Sequence, residues 1–189
     1  VIWKSDGFPT FHFAVTVDDA LMDISCVLRG EGHLPNVPIQ VFLARDLGYR
    51  APSYAHMSQT LAPEGGKISK RRGGMTLRDF REQGYLPEAL LNYITLLGWS
   101  PRRPDEVFTL EEAVGLFDVG QLTKAAAYFD PAKFAYICRR HMQRADTRRL
   151  AGISLPFLES AGLAVPDIGY LERIIASVRE AVSYTHLTL

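Results

Sequence analysis

Residues 67–71 form a short basic segment in which two lysines flank a serine. Glycine pairs at positions 65–66 and 73–74 bracket the segment, so the adjoining backbone carries few side-chain restraints. Ammonium groups on such a loop can stabilise the negative charge that develops at a phosphorus atom during transfer chemistry. An ordinary basic surface loop has the same composition, so the segment alone leaves both interpretations open. The segment reads Lys67-Ile68-Ser69-Lys70-Arg71.

Basic side chains are concentrated in two segments, although the formal net charge of the chain is zero. Residues 67–81 carry six basic side chains against one acidic side chain, and residues 133–149 have the same balance. Two such segments in a neutral chain indicate a local footprint for phosphates or nucleic acid. A solvated charged surface is the alternative, and composition does not decide between them.

The composition excludes several classes of protein. With 189 residues, 47% of them apolar, the chain can bury the core of one large domain or parts of two, which excludes wholesale disorder. No apolar run approaches the ~20 residues of a membrane span. Cys26 and Cys138 cannot form a disulfide framework, so we expect a reducing compartment, the cytoplasm, and no membrane partner. No metal site is assigned to His12, His33 and His56, which do not form a convincing ligand set.

Strands and helices alternate in the first part of the chain. Residues 11–17 are aromatic and β-branched, which predicts a buried strand, and residues 26–28 and 54–57 predict two more. Asn36 can cap a helix that runs to Asp46, with Gly48 closing it. This alternation predicts a parallel α/β layer.

Helical signals dominate from residue 76 onward. Thr76 and Thr109 are each followed three residues later by an acidic residue, as in a capping box. Further helices are predicted over residues 87–98, from the pair Asp130-Pro131, and around residues 150–161 and 167–182. The predicted fold class is therefore α/β followed by all-α.

The pentapeptide at 67–71 resembles the KMSKS signature of class I aminoacyl-tRNA synthetases. The surrounding motifs resemble the bacterial glutamyl-tRNA synthetases within that class, over about three quarters of the chain. Several ordered motifs at matching separations are far more specific than one lysine loop. They include Lys4-Ser5-Asp6-Gly7-Phe8-Pro9-Thr10, Val27-Leu28-Arg29-Gly30-Glu31, Gly84-Tyr85-Leu86-Pro87-Glu88 and Leu97-Gly98-Trp99-Ser100.

The resemblance implies a mechanism. The α-carboxylate of L-glutamate attacks the α-phosphate of ATP, which Mg²⁺ accompanies, and the resulting glutamyl-adenylate passes its glutamyl group to the 3′ end of tRNA-Glu. Lys70 is implied to act on the triphosphate, with Lys67 assisting and Ser69 placing the loop. Ile68 and Arg71 complete the implied ATP-binding segment.

Arg29 matches the arginine that reads the substrate carboxylate in this family. A guanidinium binds a carboxylate bidentately, so it distinguishes glutamate from glutamine by charge. The alternative for Arg29 is an ion pair at the end of a strand, with Glu31.

Three positions depart from the family pattern. Phe11 replaces a tyrosine and Val15 an asparagine that some members carry, so two polar contacts to glutamate are lost. Gly32 replaces an acidic residue that approaches the ATP ribose in relatives. A site that loses hydrogen-bonding groups is expected to bind its substrate less tightly. Ordinary packing is the alternative role for Phe11 and Val15.

The resemblance also divides the chain into regions. Residues 1–75 correspond to the second half of the Rossmann-like catalytic domain, and residues 76–145 to a helical region that contacts the tRNA acceptor stem. Residues 146–182 begin a helical anticodon-binding domain, and residues 183–189 match nothing in the family and read as an artefact. Phosphate contacts to tRNA are assigned to Arg72, Arg139, Arg140 and Arg144.

The sequence contains no HIGH-type histidine motif, which class I synthetases carry in the first half of the nucleotide-binding fold. We therefore expect an internal fragment, monomeric and catalytically silent alone. Two alternatives are a glutamyl-queuosine tRNA-Asp synthetase, which lacks most of the helices after Thr109, and a non-catalytic tRNA-binding remnant.

Overall fold

A computed structural model describes residues 2–62, 66 and 76–179 of the chain. The chain divides into two compact units. The first unit comprises Val1–Gln59 and Leu122–Ala126, and the second comprises Thr60–Gln121 and Ala127–Leu189.

The first unit contains a two-stranded parallel sheet and two helices. Strands β1 and β2 pair in a register that places Arg29 opposite His56. Helix α2 begins after a 3-10 segment, Glu31–Asn36, that directly follows β1. The elements are α1 (Phe11–Leu21), β1 (Cys26–Gly30), α2 (Val37–Asp46) and β2 (Ser53–Met57).

The predicted strand over residues 11–17 is wrong, because these residues form the first two turns of α1. Thr16 is buried in this helix, and its hydroxyl donates to the carbonyl of His12 one turn earlier at 2.8 Å. The helix packs against α2. Strand preference mainly reflects fit to a half-buried sheet surface, so packing against a helix overrides it here.

A short return segment, Leu122–Ala126, also belongs to the first unit. The hydroxyl of Ser58 donates to the carbonyls of Thr123 at 3.1 Å and Lys124 at 2.8 Å. These contacts join parts of the chain that lie 65 and 66 residues apart.

The second unit is built mainly of helices. Two residues of β3 pair in parallel with two residues of β4. The helices α7 and α8 pack against each other, and α4 packs against α6. The elements are β3 (Thr60–Leu61), α3 (Leu77–Glu82), α4 (Pro87–Gly98), α5 (Leu110–Leu116), β4 (Ala127–Tyr128), α6 (Pro131–Arg144), α7 (Thr147–Ser160) and α8 (Ile168–Val178).

Predicted capping residues begin three helices of this unit. Thr76 and Thr109 each form a capping box with the acidic residue three positions later. Asp130 accepts hydrogen bonds from the backbone N–H groups of Ala132 and Lys133 at the start of α6. Each cap satisfies amide donors that a helix terminus leaves unpaired.

The core of the second unit lies between α4, α6 and α7. The aromatic rings of Tyr93 and Phe134 lie 5.0 Å apart at its centre. The buried residues of this core are Leu86, Ala89, Leu90, Tyr93, Phe134, Ile137, Cys138, Met142 and Leu150. The predicted fold class, α/β followed by all-α, is confirmed. Across residues 2–62 and 76–179, no helix combines the length and apolar character that crossing a membrane requires.

Candidate substrate-recognition site

Arg29 lies near the carboxyl end of β1, the edge at which α/β sheets bind ligands. The parallel neighbour β2 brings His56 opposite Arg29, and Tyr54 lies two residues earlier on the same strand. Side chains two residues apart on a strand share a face of the sheet. Arg29, Tyr54 and His56 are therefore presented together on one face of the sheet.

The guanidinium of Arg29 is held by specific contacts within the first unit. Its Nη2 donates to Oε1 of Gln40 at 2.7 Å and to the carbonyl of His33 at 3.4 Å. Its Cζ lies 5.1 Å from the centroid of the Tyr54 ring, in the range of a cation–π contact. The Nε of Arg29 is buried and lacks a hydrogen-bond partner among the residues described. A guanidinium fixed in this way still has the N–H groups of Nη1 to donate to a carboxylate.

The phenol of Tyr54 is neutral beside this cation. Burial raises the pKa of Tyr54 above its ordinary value of 10.0, an effect that Arg29 opposes and Asp19 reinforces. The hydroxyl therefore keeps its proton at neutral pH and does not neutralise the guanidinium.

The alternative role considered for Arg29, an ion pair with Glu31, is not what the structure contains. Oε1 of Glu31 accepts from the backbone N–H of Gln59 at 3.1 Å. Within residues 2–62 and 76–179, Arg29 forms no ion pair. Among these residues, no carboxylate in contact offsets its positive charge.

Phe11 lies close to this site, and Val15 follows one turn later on α1. The Phe11 ring is 57% exposed and lies 6.3 Å from the ring of His33, whose carbonyl contacts Arg29. Val15 is half-buried on the same helix. Neither side chain offers a polar atom, so both positions contribute apolar surface only.

The residues assigned to ATP lie outside the described residues. Lys67, Ile68, Ser69, Lys70 and Arg71 fall in this group, as does Arg72, which was assigned to tRNA. Their roles stay predictions.

The three remaining tRNA-binding candidates lie on α6 in the second unit. Nη2 of Arg144 forms an ion pair with Oδ2 of Asp105 at 3.0 Å, and its Nη1 donates to the carbonyl of Val107. Nη1 of Arg140 donates to Oε1 of Gln143 at 3.4 Å. The Nε of Arg139 is buried and lacks a partner among the described residues. Arg144 is thus engaged within its own unit, more strongly than the other two.

The contacts around Asp105 lower the pKa of its carboxyl group. The backbone N–H of Val107 and then the Arg144 guanidinium stabilise its carboxylate, so the pKa of Asp105 lies below its ordinary value of 3.8. The carboxyl therefore remains charged at neutral pH and keeps Arg144 paired.

Gln40 and Tyr54 are site residues that the sequence pattern does not predict. Gln40 occupies a position on α2 where helical spacing predicts burial. A buried glutamine needs a polar partner. A polar residue at a position that the helical pattern buries is therefore the signal in the sequence that indicates a specific contact. Tyr54 carried no signal beyond its strand preference. Among the described residues, no group of three His, Cys, Asp or Glu side chains is arranged to hold a metal ion.

The fold and this site define a class of protein. The family model described as class I tRNA synthetases (E and Q), catalytic domain, matches residues 1–136. The chain belongs to this family of class I tRNA synthetases. The resemblance that the motifs carry is thereby confirmed.

Individual relatives point to one branch of the family. The chain is 40% identical over 187 residues to the glutamate–tRNA ligase of Moorella thermoacetica, which covers 96% of this chain and 38% of that protein. It is 49% identical over 160 residues to glutamate–tRNA ligase 1 of Rubrobacter xylanophilus, covering 84% of this chain and 37% of that protein.

Solved structures agree with these sequence matches. A glutamate tRNA ligase from Elizabethkingia meningosepticum in complex with its amino acid superimposes with a TM-score of 0.86 at 35% identity, over 97% of this chain and 40% of that chain. Glutamate-tRNA synthetase from Elizabethkingia anophelis superimposes with a TM-score of 0.87 at 34% identity, over 97% of this chain and 41% of that chain. The chain spans about two fifths of the length of the relatives it matches.

Proposed function

We propose that this chain is part of a glutamate–tRNA ligase. The observation that carries the proposal is the guanidinium of Arg29, which Gln40 and Tyr54 hold in place and which pairs with no carboxylate among the described residues. The family activates glutamate or glutamine. A guanidinium without a carboxylate partner favours the anionic side chain of glutamate over the neutral amide of glutamine.

The reaction has two steps. The glutamate α-carboxylate attacks the α-phosphate of ATP, forming an acyl-phosphate bond and releasing pyrophosphate. The terminal adenosine of tRNA-Glu then attacks the acyl carbon of glutamyl-adenylate and releases AMP. ATP enters as its Mg²⁺ complex, and Mg²⁺ supplies additional positive charge at the phosphates.

The lysine loop has the composition that the first step requires. Lys70, assisted by Lys67, is assigned to the charge that develops on the phosphates, and Ser69 is assigned to placing the loop. Ile68 and Arg71 complete the segment. A loop of this kind accelerates the reaction only through interactions that are stronger in the transition state than in the ground state.

The tRNA is assigned to the helical part of the chain. Residues 76–145 are proposed as the stem-contact region and residues 146–182 as the start of an anticodon-binding domain. Arg72, Arg139 and Arg140 are the phosphate contacts expected to contribute most, since Arg144 is paired with Asp105. The enzyme is proposed to act in the cytoplasm as a monomer, and the 189-residue chain alone is expected to be inactive.

A chimaera tests the proposal. The segment of the Moorella thermoacetica ligase that aligns with this chain is replaced by this chain, and charging of tRNA-Glu with glutamate is measured. We expect charging that Lys70→Ala reduces at least tenfold and that Lys124→Ala, at an exposed lysine of the first unit, leaves unchanged.

The same replacement is made in the Rubrobacter xylanophilus enzyme, so that misfolding at the junctions of one chimaera does not decide the result. Folded chimaeras of both hosts that charge no tRNA-Glu would contradict the proposal. Charging of tRNA-Asp in place of tRNA-Glu would favour the queuosine-related alternative. Salt-dependent tRNA binding without any charging would favour the remnant.

A further inference from the structure

Gln40 is an unusual residue for its position. Only 2% of its surface is exposed, and among the described residues of α2 it shares this degree of burial with Ala44 alone. A buried amide costs free energy unless its polar atoms are paired. A Leu or Ala would fit the apolar pattern of the buried positions of α2. The contacts of Gln40 explain why a polar residue stands there.

Those contacts point to Arg29. Oε1 of Gln40 accepts the shorter of the two hydrogen bonds from Nη2 of Arg29, at 2.7 Å. The residues are 11 positions apart and belong to different elements, so the contact is tertiary. Nε2 of Gln40 is buried and lacks a partner among the described residues. The carbonyl oxygen therefore accounts for the amide's only pairing in this part of the chain.

The contact fixes one end of the guanidinium. Nη2 is occupied by Gln40 and His33, whereas Nη1 donates no hydrogen bond within the described residues. The ring of Tyr54 also contacts the guanidinium of Arg29. Arginine loses much rotamer freedom when it is fixed, so prior restraint favours binding of a carboxylate.

Because Gln40 is neutral, it restrains Arg29 without cancelling its charge. A carboxylate at this position would accept the same hydrogen bond but would compete with an anionic substrate. A leucine would leave the charge intact but remove the restraint. An amide of this size both restrains Arg29 and leaves its positive charge intact.

We propose that Gln40 is a positioning residue that holds Arg29 in the orientation needed to receive the side-chain carboxylate of the substrate. This inference rests on the proposed function, which assigns that carboxylate to Arg29. Misplacement of a substrate-binding group by about 1 Å can cost about a hundredfold in rate, so the loss of Gln40 has a measurable effect.

The first measurement concerns the restraint itself and needs no catalysis. In the 189-residue chain, ¹⁵N relaxation reports the order parameter of the Arg29 Nε–H group. Gln40→Leu is expected to lower it below about 0.6, the range of flexible groups. Gln40→Glu keeps the acceptor and is expected to preserve the order. Gln121→Leu, the same change at a half-buried glutamine of the second unit, serves as the control.

The second measurement concerns the consequence for the substrate, in the chimaeric ligase. Gln40→Leu is expected to raise the KM for glutamate about tenfold to a hundredfold, with the KM for ATP unchanged. Gln40→Glu is expected to lower the preference for glutamate over glutamine although Arg29 stays ordered. If Gln40 contributed to stability alone, its loss would not change the KM for glutamate while leaving the KM for ATP unchanged.

Two outcomes would overturn the positioning role. One is an Arg29 equally mobile in the native chain and in Gln40→Leu. The other is a KM for glutamate that rises in Arg29→Met but not in Gln40→Leu. If Arg29→Met itself leaves that KM unchanged, the substrate role of Arg29 fails, and the role of Gln40 fails with it.

Discussion

Oδ1 of Asn92 on α4 lies 2.8 Å from Nε2 of His141 on α6, and both side chains are buried in the second unit. The same oxygen accepts from the backbone N–H of Phe108 at 3.0 Å, and the Asn92 amide donates to the carbonyl of Glu106 at 2.9 Å. Because the N–H of Phe108 fixes which amide atom is the oxygen, Nε2 of His141 is the donor. One asparagine thus joins two helices and the connection before α5.

Asn92→Leu is expected to destabilise the second unit strongly. The change leaves the N–H of Phe108, the carbonyl of Glu106 and the imidazole of His141 buried without this partner. Each unpaired group costs about 1–3 kcal/mol, so we expect a loss of about 3 kcal/mol or more. Urea unfolding followed by Trp99 fluorescence in a Trp3→Phe background measures the stability of this unit.

Asn36→Leu is the control for this change, because the side chain of Asn36 contacts His33 near the surface and, contrary to the sequence prediction, forms no capping hydrogen bond to α2 among the described residues. It is expected to change the stability reported by Trp99 by less than about 0.5 kcal/mol. An equal effect of both substitutions would show that the Asn92 network contributes little.

The stability of the second unit is expected to fall as the pH drops below about 6.5. Burial lowers the pKa of His141 in the folded state; the charge of Glu88 opposes this shift and that of Arg144 adds to it. The unfolded chain therefore takes up a proton first. Stability is fully present above the unfolded pKa and declines by at most about 1.4 kcal/mol per pH unit until the folded pKa is reached.

Urea unfolding at pH 8, 7, 6 and 5 measures this dependence. His141→Gln can still donate to Asn92 and does not titrate, so its stability is expected to change less over the same interval. Parallel pH profiles for the native chain and this variant would rule out His141 as the source.

Phe11→Tyr is expected to improve binding of glutamate in the chimaeric ligase. The Phe11 ring is 57% exposed and lies beside His33, so a hydroxyl can be added without displacing core residues. One new hydrogen bond to the substrate contributes about 1 kcal/mol, which corresponds to a KM about fivefold lower. Steady-state charging kinetics at varied glutamate concentrations test this expectation.

Phe42→Tyr provides a matched control, because Phe42 is 55% exposed on α2 and its ring packs against Arg45. Its KM for glutamate should equal that of the parent chimaera. An unchanged KM in Phe11→Tyr would mean that position 11 does not reach the substrate.

Combined substitution of Arg139 and Arg140 by glutamine is expected to weaken tRNA binding. Each phosphate contact contributes close to one unit to the slope of log K against log salt, so the slope should decrease by about 2. Filter binding of tRNA-Glu to the chain between 50 and 200 mM salt measures the slope. Arg45→Gln, at an exposed arginine paired with Asp46, should leave it unchanged.

Local features of the fold could be predicted from the sequence because they depend on neighbouring residues. The capping boxes at Thr76 and Thr109 require only a hydroxyl and an acidic residue three positions later. Residues 11–17 failed as a prediction because aromatic and β-branched residues also suit a helix that packs on a second helix.

The site was predictable only in part, for a related reason. Arg29 stood out because it lies in a motif that resembles a known family. Gln40 did not, since its meaning depends on a tertiary contact across 11 residues. The pairing of β3 with β4 joins Leu61 to Tyr128 through two-residue strands, which are too short for any pattern to predict.

The hydrogen bonds of Ser58 to the carbonyls of Thr123 and Lys124 have a consequence for synthesis on the ribosome. The acceptors are translated 65 and 66 residues after the donor. At about 5–20 residues per second, that interval lasts roughly 3 to 13 seconds. During this time residues 59–122 are made, and the first unit of the nascent chain lacks the partners of the Ser58 hydroxyl.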